Sequence, residues 1–148
     1  MKEYFIQATK DILKGEGIQS ISVRNIANQA GYSYATLYNY FKDVNDLVFL
    51  CVSDFQEECR VFVENRTKGI KKGKERLKKD IQGYIEFFCE YPGIFELFYL
   101  TRMSDFGGKK SIIHVINNSL SDICEEDWGE CLNQKIINSH EVDIKKGY

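Results

Sequence analysis

The chain has 148 residues, and 43% of them are hydrophobic, which is enough to fill a core and excludes a disordered chain. The 20 Lys and Arg against 22 Asp and Glu give a net charge of −2, and the first 50 residues carry five of each kind. This neutral segment excludes strong nonspecific binding of nucleic acid by a single copy, because phosphate contacts supply most of that affinity.

The sequence contains neither a recognisable export signal nor a membrane span. Tyr4-Phe5-Ile6 is followed at once by polar and charged residues, unlike a signal peptide. The longest apolar run, from Leu47 to Val52, is far too short to cross a bilayer. The five cysteines are odd in number and include no Cys-x-x-Cys pair, which favours buried, reduced thiols. We therefore expect a cytoplasmic protein with no membrane partner.

Apolar residues recur with helical spacing almost throughout, and the single proline is Pro92, so the sequence predicts an all-α fold. The first helix is expected from about Lys2 to Lys14. Residues 23–30 form a short amphipathic helix, Gly31 interrupts it, and Ser33 is a natural N-cap for a second short helix. Two helices joined by so tight a turn predict a helix-turn-helix, whose second helix can lie in a DNA major groove.

A set of short motifs runs through this stretch. They are Ser22-Val23-Arg24-Asn25-Ile26-Ala27, Gly31-Tyr32-Ser33, Thr36-Leu37-Tyr38-Asn39-Tyr40-Phe41 and Asp46-Leu47. Together they resemble the DNA-binding domain of the tetracycline-repressor (TetR) family, densely from about Ile6 to Leu47 and more loosely beyond. The resemblance implies a three-helix DNA-binding domain over residues 1–47 and a helical ligand-binding and dimerisation domain over residues 48–148.

The resemblance also implies which side chains contact DNA. They are Ser22, Ser33, Tyr34, Ala35, Thr36, Tyr38, Asn39 and Lys42. Their chemistry suits the role, since hydroxyl groups near a helix N-terminus favour phosphate, and Asn39 can make the paired hydrogen bonds that adenine offers. Ala35 can touch a thymine methyl group, and Tyr38 can reach a phosphate through its phenol. For Ser22 a plain helix N-cap is an equally good interpretation, and the two roles are compatible.

After Phe41 the sequence departs from the family pattern. The family usually has a lysine that meets a phosphate from the start of the fourth helix, and this lysine aligns with Val44, which cannot do so. Lys42, two residues earlier, is a partial substitute. Together with the neutral charge of residues 1–50, this difference predicts weaker DNA affinity than is usual in the family.

The rest of the chain predicts further helices from the spacing of its apolar residues. Their expected ranges are about 45–66, 74–91, 94–100, 112–123 and 128–138, followed by a polar tail over residues 139–148. The segment 94–100 is apolar nearly all round, so it is expected to be buried. The basic run from Arg66 to Lys79 is either a solvated loop and first helical turn or a patch for nucleic acid or an acidic surface.

An aromatic set beyond residue 60 lies on helices that enclose a ligand cavity in the family. Its members are Phe62, Tyr84, Phe87, Phe88, Tyr91, Phe95, Phe98 and Tyr99. A cavity lined in this way would suit a flat or apolar small-molecule effector better than an anion. The alternative is that these residues only fill the protein's own core.

Family members usually continue through two long helices that form a four-helix bundle with a second copy, whereas this sequence offers one weak candidate. It is expected to be a fragment, a shortened member or a variant that pairs differently. We expect a homodimer, and the candidate surface is an apolar stripe on the last two helices. It comprises Ile112, Ile116, Leu120, Ile123, Trp128, Leu132 and Ile136. Closure of the chain's own core is the alternative role for this stripe.

The leading interpretation is a ligand-responsive repressor that binds a palindromic DNA operator as a homodimer. The alternative is a protein-interaction module that keeps the scaffold without strong DNA binding. An enzyme is not expected, because no phosphate loop, nucleophile pair or metal-ligand spacing is present, and neither His114 nor His140 has a recognisable partner. We expect no cofactor and no metal.

Overall fold

The computed structural model describes the backbone of residues 1–146 and the side chains of residues 1–135. All regular structure within residues 1–146 is helical, which confirms the predicted all-α fold. The α-helices are α1 (Lys2–Gly15), α2 (Val23–Ala30), α3 (Tyr34–Tyr40), α4 (Val44–Thr67), α5 (Lys74–Glu90), α6 (Pro92–Phe95), α7 (Lys110–Asn117) and α8 (Ser119–Lys146). Among the described residues, no helix combines the length and the apolar character needed to span a membrane.

The first helices begin and end at residues that supply caps. Ser22 accepts a hydrogen bond from the Asn25 backbone N–H, and Asp43 accepts one from the Asn45 N–H, so both side chains satisfy a free donor at a helix start. Gly31 ends α2 in the left-handed region, with φ of 81°, as its position in the turn predicts. Local chemistry thus accounts for the boundaries of this part of the fold.

The long helix α4 forms the axis of the molecule. Near its start, Leu47 packs with Phe5, Ile26 and Leu37 in a cluster that joins α1, α2 and α3. Further along, Phe55 and other α4 residues pack into a second cluster with residues of α5, α6 and α7. Because both clusters share α4, the N-terminal helices are held in a defined position relative to the C-terminal ones.

Three further contacts help to fix the N-terminal helices relative to the C-terminal ones. Gly93 on α6 lies directly against the backbone of Lys14 at the end of α1, where an added Cβ would come within 2.0 Å of the Lys14 carbonyl oxygen. The Lys10 ammonium lies 2.8 Å from the Glu58 carboxylate on α4. Lys109, just before α7, donates a hydrogen bond to Asp46 near the start of α4.

The C-terminal part differs from the prediction in three places. Apolar spacing predicts one helix over 112–123, but α7 ends at Asn117 and α8 starts at Ser119. The buried Ser119 hydroxyl accepts a hydrogen bond from Tyr84 on α5 and donates one to Gln56 on α4. The helix α8 then runs to Lys146, so the polar tail expected from Ser139 is helical as far as that residue. The segment 94–100 was predicted to be buried all round, but it forms α6 followed by a π-helical turn with one side exposed.

The five cysteines are free thiols. Cys51, Cys59 and Cys124 are buried, and burial raises the pKa of the first two to about 12 and that of Cys124 to about 11. Cys131 is half-buried, whereas Cys89 is exposed, so the prediction of buried thiols is wrong for Cys89.

Candidate functional site

The second helix of the helix-turn-helix, α3, presents one apolar side inward and a polar side to solvent. Leu37 is fully buried and anchors the helix on Ile26 and Leu47. The side chains of Tyr34, Tyr38 and Asn39 are exposed. Seven residues span about 10 Å, which is long enough to insert one face into a major groove about 12 Å wide.

The start of α3 is organised by two hydroxyl groups. The Ser33 Oγ accepts a hydrogen bond from the Thr36 backbone N–H at 3.3 Å, and it also bonds to the Thr36 hydroxyl at 3.0 Å. Ser33 and Ala35 are exposed and Thr36 is half-exposed, so all three are accessible to a ligand at this end of the helix. The remaining N–H groups there are free to bind an anion such as a phosphate.

A positively charged side chain that the sequence reasoning did not assign to the DNA-binding surface lies beside it. Arg24 on α2 is exposed and donates a hydrogen bond from Nε to the Tyr34 hydroxyl at 3.0 Å. This contact holds the Tyr34 ring and leaves the rest of the guanidinium free for a phosphate. Arg24 lies in the motif that begins at Ser22, but the bond depends on how α2 and α3 cross, which the motif alone does not indicate.

The eight predicted DNA-contacting residues lie at the start of α2, at the start of α3 and along it, and directly after α3. Ser22 is exposed and caps α2, so its N-cap role is present in the structure. Lys42 follows α3 directly and is exposed. Val44 is half-buried and packs against the clusters on both sides of α4, so its apolar side chain serves the core. Tyr40 at the end of α3 places its ring 6.1 Å from that of Phe5 on α1 while remaining 43% exposed.

A second feature is an apolar groove of about 550 Å³ between α5, the α6 segment and the start of α8. It is lined by Ile81, Tyr84, Ile85, Phe88, Cys89, Phe95, Tyr99 and Leu120. The groove is open to solvent, and its size is within the range of small-molecule sites. We call this set the α5–α8 groove.

Four of the eight predicted pocket residues line this groove and four do not. Tyr84, Phe88, Phe95 and Tyr99 line it. The other four are Phe62, Phe87, Tyr91 and Phe98. The structure places Phe87 and Phe98 in the core, Phe62 against Phe87, and the Tyr91 ring 5.1 Å from the Phe87 ring. The sequence reasoning did not assign Ile81, Ile85, Cys89 and Leu120 to the pocket, although Ile81 and Ile85 share a helical face with Tyr84.

The polar groups at the base of the α5–α8 groove form one chain of hydrogen bonds. The Tyr99 and Tyr84 hydroxyls bond to each other, and Tyr84 donates to the Ser119 Oγ at 3.1 Å. Ser119 in turn donates to the Gln56 side chain on α4. Burial raises the pKa of Tyr84 well above its ordinary value, so its hydroxyl stays protonated at neutral pH. The chain connects the groove to the helix that carries the N-terminal unit.

The predicted dimer stripe is split between the core and the surface. Ile112 and Ile116 are buried in the chain's own core, so for them the alternative role holds and the prediction of an interface is wrong. Leu120, Trp128 and Leu132 are exposed along α8. Ile123 is half-buried, and the side chain of Ile136 lies outside the described residues.

A comparison with protein families finds one match. Residues 5–50 match the family described as bacterial regulatory proteins, tetR family. The matched segment contains α1 from Phe5 onward, α2, α3 and the start of α4, and therefore all eight candidate DNA-contacting residues.

Three solved structures share the fold of this chain at sequence identities of 20% or less. A TetR family transcription regulator from Marinobacter aquaeolei VT8 is 20% identical with a TM-score of 0.61 over 90% of this chain. A putative fatty acid metabolism regulator from Clostridium perfringens is 17% identical with a TM-score of 0.58 over 97%. PfmR, a TetR family transcriptional regulator from Thermus thermophilus, is 14% identical with a TM-score of 0.56 over 89%. The chain spans 66%, 87% and 72% of these three proteins, so it is just short of two thirds of the first.

Proposed function

We propose that this chain, whose N-terminal domain is a tetR-family domain, is a repressor that binds a palindromic DNA operator as a homodimer and responds to an apolar effector. The observation that carries the proposal is the exposed polar side of α3. A helix that only packed against its neighbours would not need Asn39, Tyr38 and a capped, accessible N-terminus on its outer side. We assign DNA binding to residues 1–47 and effector binding and dimerisation to residues 48–148.

In this proposal each part of the polar surface has a distinct task. The α3 N-terminus, with Ser33 and Thr36, binds phosphate, and Arg24 adds a positive charge beside it. Asn39 reads a base edge in the major groove. Because the first 50 residues are neutral, we expect specific binding that depends less on salt than that of a basic domain.

A second copy is required by geometry. Two half-sites one DNA turn apart lie about 34 Å from each other, and a single α3 cannot span that distance. We propose that the partner packs on the exposed apolar residues of α8, Leu120, Trp128 and Leu132. They recur at spacings of eight and four, so they share one side of the helix. An isologous contact along this side would bury aliphatic and aromatic surface with little charge.

We propose that the effector occupies the α5–α8 groove. The apolar lining favours a flat or apolar small molecule over an anion. A ligand that displaces the Tyr99 ring would disturb its bond to Tyr84 and, through Ser119, the contact with α4. This gives the effector a physical route to the helix that carries the DNA-binding unit.

The test of DNA binding starts with selection of duplexes from a random-sequence pool by the purified chain. The affinity of the best duplex is then measured for the parent, Asn39→Ala and Tyr38→Phe, with Asn133→Ala on α8 as the matched control. We expect Asn39→Ala to lose about 1–3 kcal/mol of binding free energy, Tyr38→Phe to bind more weakly and the control to bind normally. Unchanged affinity of both α3 variants would overturn the proposal and favour the protein-interaction module.

A further inference from the structure

Two aspartates are buried together where α5 meets α8. Asp80 on α5 is 3% exposed and Asp127 on α8 is 2% exposed, and both line one small cavity between α4, α5 and α8. Asp127 also accepts a hydrogen bond from the Gly73 backbone N–H at 3.1 Å, and it lies 3.4 Å from Arg76 Nε. Among the described side chains, Oδ2 of Asp80 has no hydrogen-bond partner at all.

The charges around this pair do not neutralise it. The charged side chains that line the same small cavity are Arg60 and Glu64 on α4, Arg76 on α5, and Asp122, Glu125 and Glu126 on α8. Arg60 is already paired with Glu57 and Glu64, and Glu126 with Lys72. Of these described cavity residues, only Arg76 remains to balance two buried carboxylates, and a buried charge without a partner is costly.

We propose that Asp80 and Asp127 share one proton, and that its loss loosens the contact between α5 and α8. With one proton the pair forms a hydrogen bond and carries a single negative charge, which Arg76 balances. Without it, two carboxylates repel each other across the helix contact. We call this pair the proton latch.

The pKa of Asp80 sets the pH range in which the latch loses its proton. Burial, together with the neighbouring Asp127, raises the pKa of Asp80 to about 7, whereas Arg76 acts in the opposite direction. Because the folded protein holds this proton more tightly than the unfolded chain, the latch stabilises the fold most below about pH 4. That contribution falls as the pH rises toward 7 and is lost above it.

Each residue of the latch is the chain neighbour of a residue on the apolar surface of α5 and α8. Asp80 precedes Ile81, which lines the α5–α8 groove, and Asp127 precedes Trp128, which packs near Ile81 at the edge of the same surface. A change in the distance between α5 and α8 therefore alters this surface. The latch does not depend on DNA binding or on an effector, because both carboxylates belong to the free chain.

Trp128 offers a local probe, since it is the chain's single tryptophan and lies next to Asp127. Its fluorescence is recorded from pH 5.5 to 8.5 for the parent, Asp80→Asn and the matched control Asp105→Asn, an exposed aspartate that does not line the cavity. We expect a transition with a midpoint near pH 7 in the parent and in the control. Asp80→Asn, which is neutral at every pH, should show no transition and keep the signal of the protonated form.

Two further measurements keep the result unambiguous. A chain with His114→Gln and His140→Gln should retain the transition, because the latch contains no imidazole. The infrared band of a buried, protonated carboxyl group should be present in the parent at pH 6 and absent at pH 8.5, and this readout needs no variant. A flat parent titration, a transition that persists in Asp80→Asn, or a missing carboxyl band at pH 6 would overturn the proposal.

Discussion

The close approach of α6 to α1 can be tested with a single methyl group. In Gly93→Ala the new Cβ would lie 2.0 Å from the Lys14 carbonyl oxygen and 2.8 Å from its carbonyl carbon. These are backbone atoms within a helix, so they cannot rotate away as a side chain would. The substitution therefore forces α6 and α1 apart at the junction between the N-terminal helices and the rest of the fold.

The size of the effect follows from the distances. A Cβ essentially never comes closer than 3.0 Å to another heavy atom, so the helices have to separate by about 1 Å. Overpacking of this kind typically costs about 1–3 kcal/mol of unfolding free energy. For a chain of this length each kcal/mol lowers the Tm by about 2–4 °C.

The assay is thermal and urea unfolding of the parent, Gly93→Ala and Gly15→Ala. Gly15 ends α1, and an added Cβ there meets no atom within 4 Å, so it is the matched control. We expect Gly15→Ala to be as stable as the parent or up to about 1 kcal/mol more stable, because alanine is the better helix former. Equal Tm values for Gly93→Ala and Gly15→Ala would refute the close packing of α6 on α1.

Three other features give measurable predictions. Ile85→Asp should abolish binding of the neutral, flat dye Nile red to the α5–α8 groove. Val61→Asp, the same kind of change at an exposed site on α4, should leave dye binding unchanged, and an equal loss in both variants would rule out the groove as the binding site. In light scattering, Leu132→Glu should have the mass of a monomer, whereas Asn133→Glu, one residue along α8, should keep the mass of the proposed dimer. A parent chain that is monomeric at tens of micromolar would exclude this interface. At pH 8 Cys89 should react first with a thiol reagent, and Cys51, Cys59 and Cys124 should react slowly because burial raises their pKa values. Equal reaction rates of all the cysteines would contradict the burial of these three.

The N-terminal helices could be predicted because short-range chemistry determines their ends. Ser22 and Ser33 are side-chain caps, and Gly31 adopts the left-handed conformation that ends α2. These signals lie within a few residues of the boundary they set. The predicted ranges of α1, α2, α4 and α5 are accordingly within a residue or two of those observed.

The break between α7 and α8 could not be predicted in this way. The apolar spacing continues from Ile116 to Leu120 as it would in one helix. The chain nevertheless turns at Asn118, where Ser119 is buried and bonded to Tyr84 and to Gln56, which lies 63 residues away. Long-range hydrogen bonds of this kind leave no periodic signal in the sequence.

In the candidate sites, too, the residues set by a local motif could be predicted and those that depend on helix packing could not. The motif indicated the residues around α3, because they follow one another in the chain. The bond between Arg24 and Tyr34 depends on the crossing of two helices, and the division of the aromatic residues between core and groove depends on how α6 packs on α5. The pair Asp80 and Asp127 could not be predicted either, because Asp80 follows a basic run and its partner lies 47 positions away in the sequence.

The central claim is that two copies of α3 read one palindromic duplex. Its most direct test is the mass of the complex between the chain and its selected duplex, measured by light scattering at physiological salt. The account predicts two chains for each duplex, with Asn39→Ala forming far less of the same complex. One chain for each duplex, or no complex at all, would contradict it.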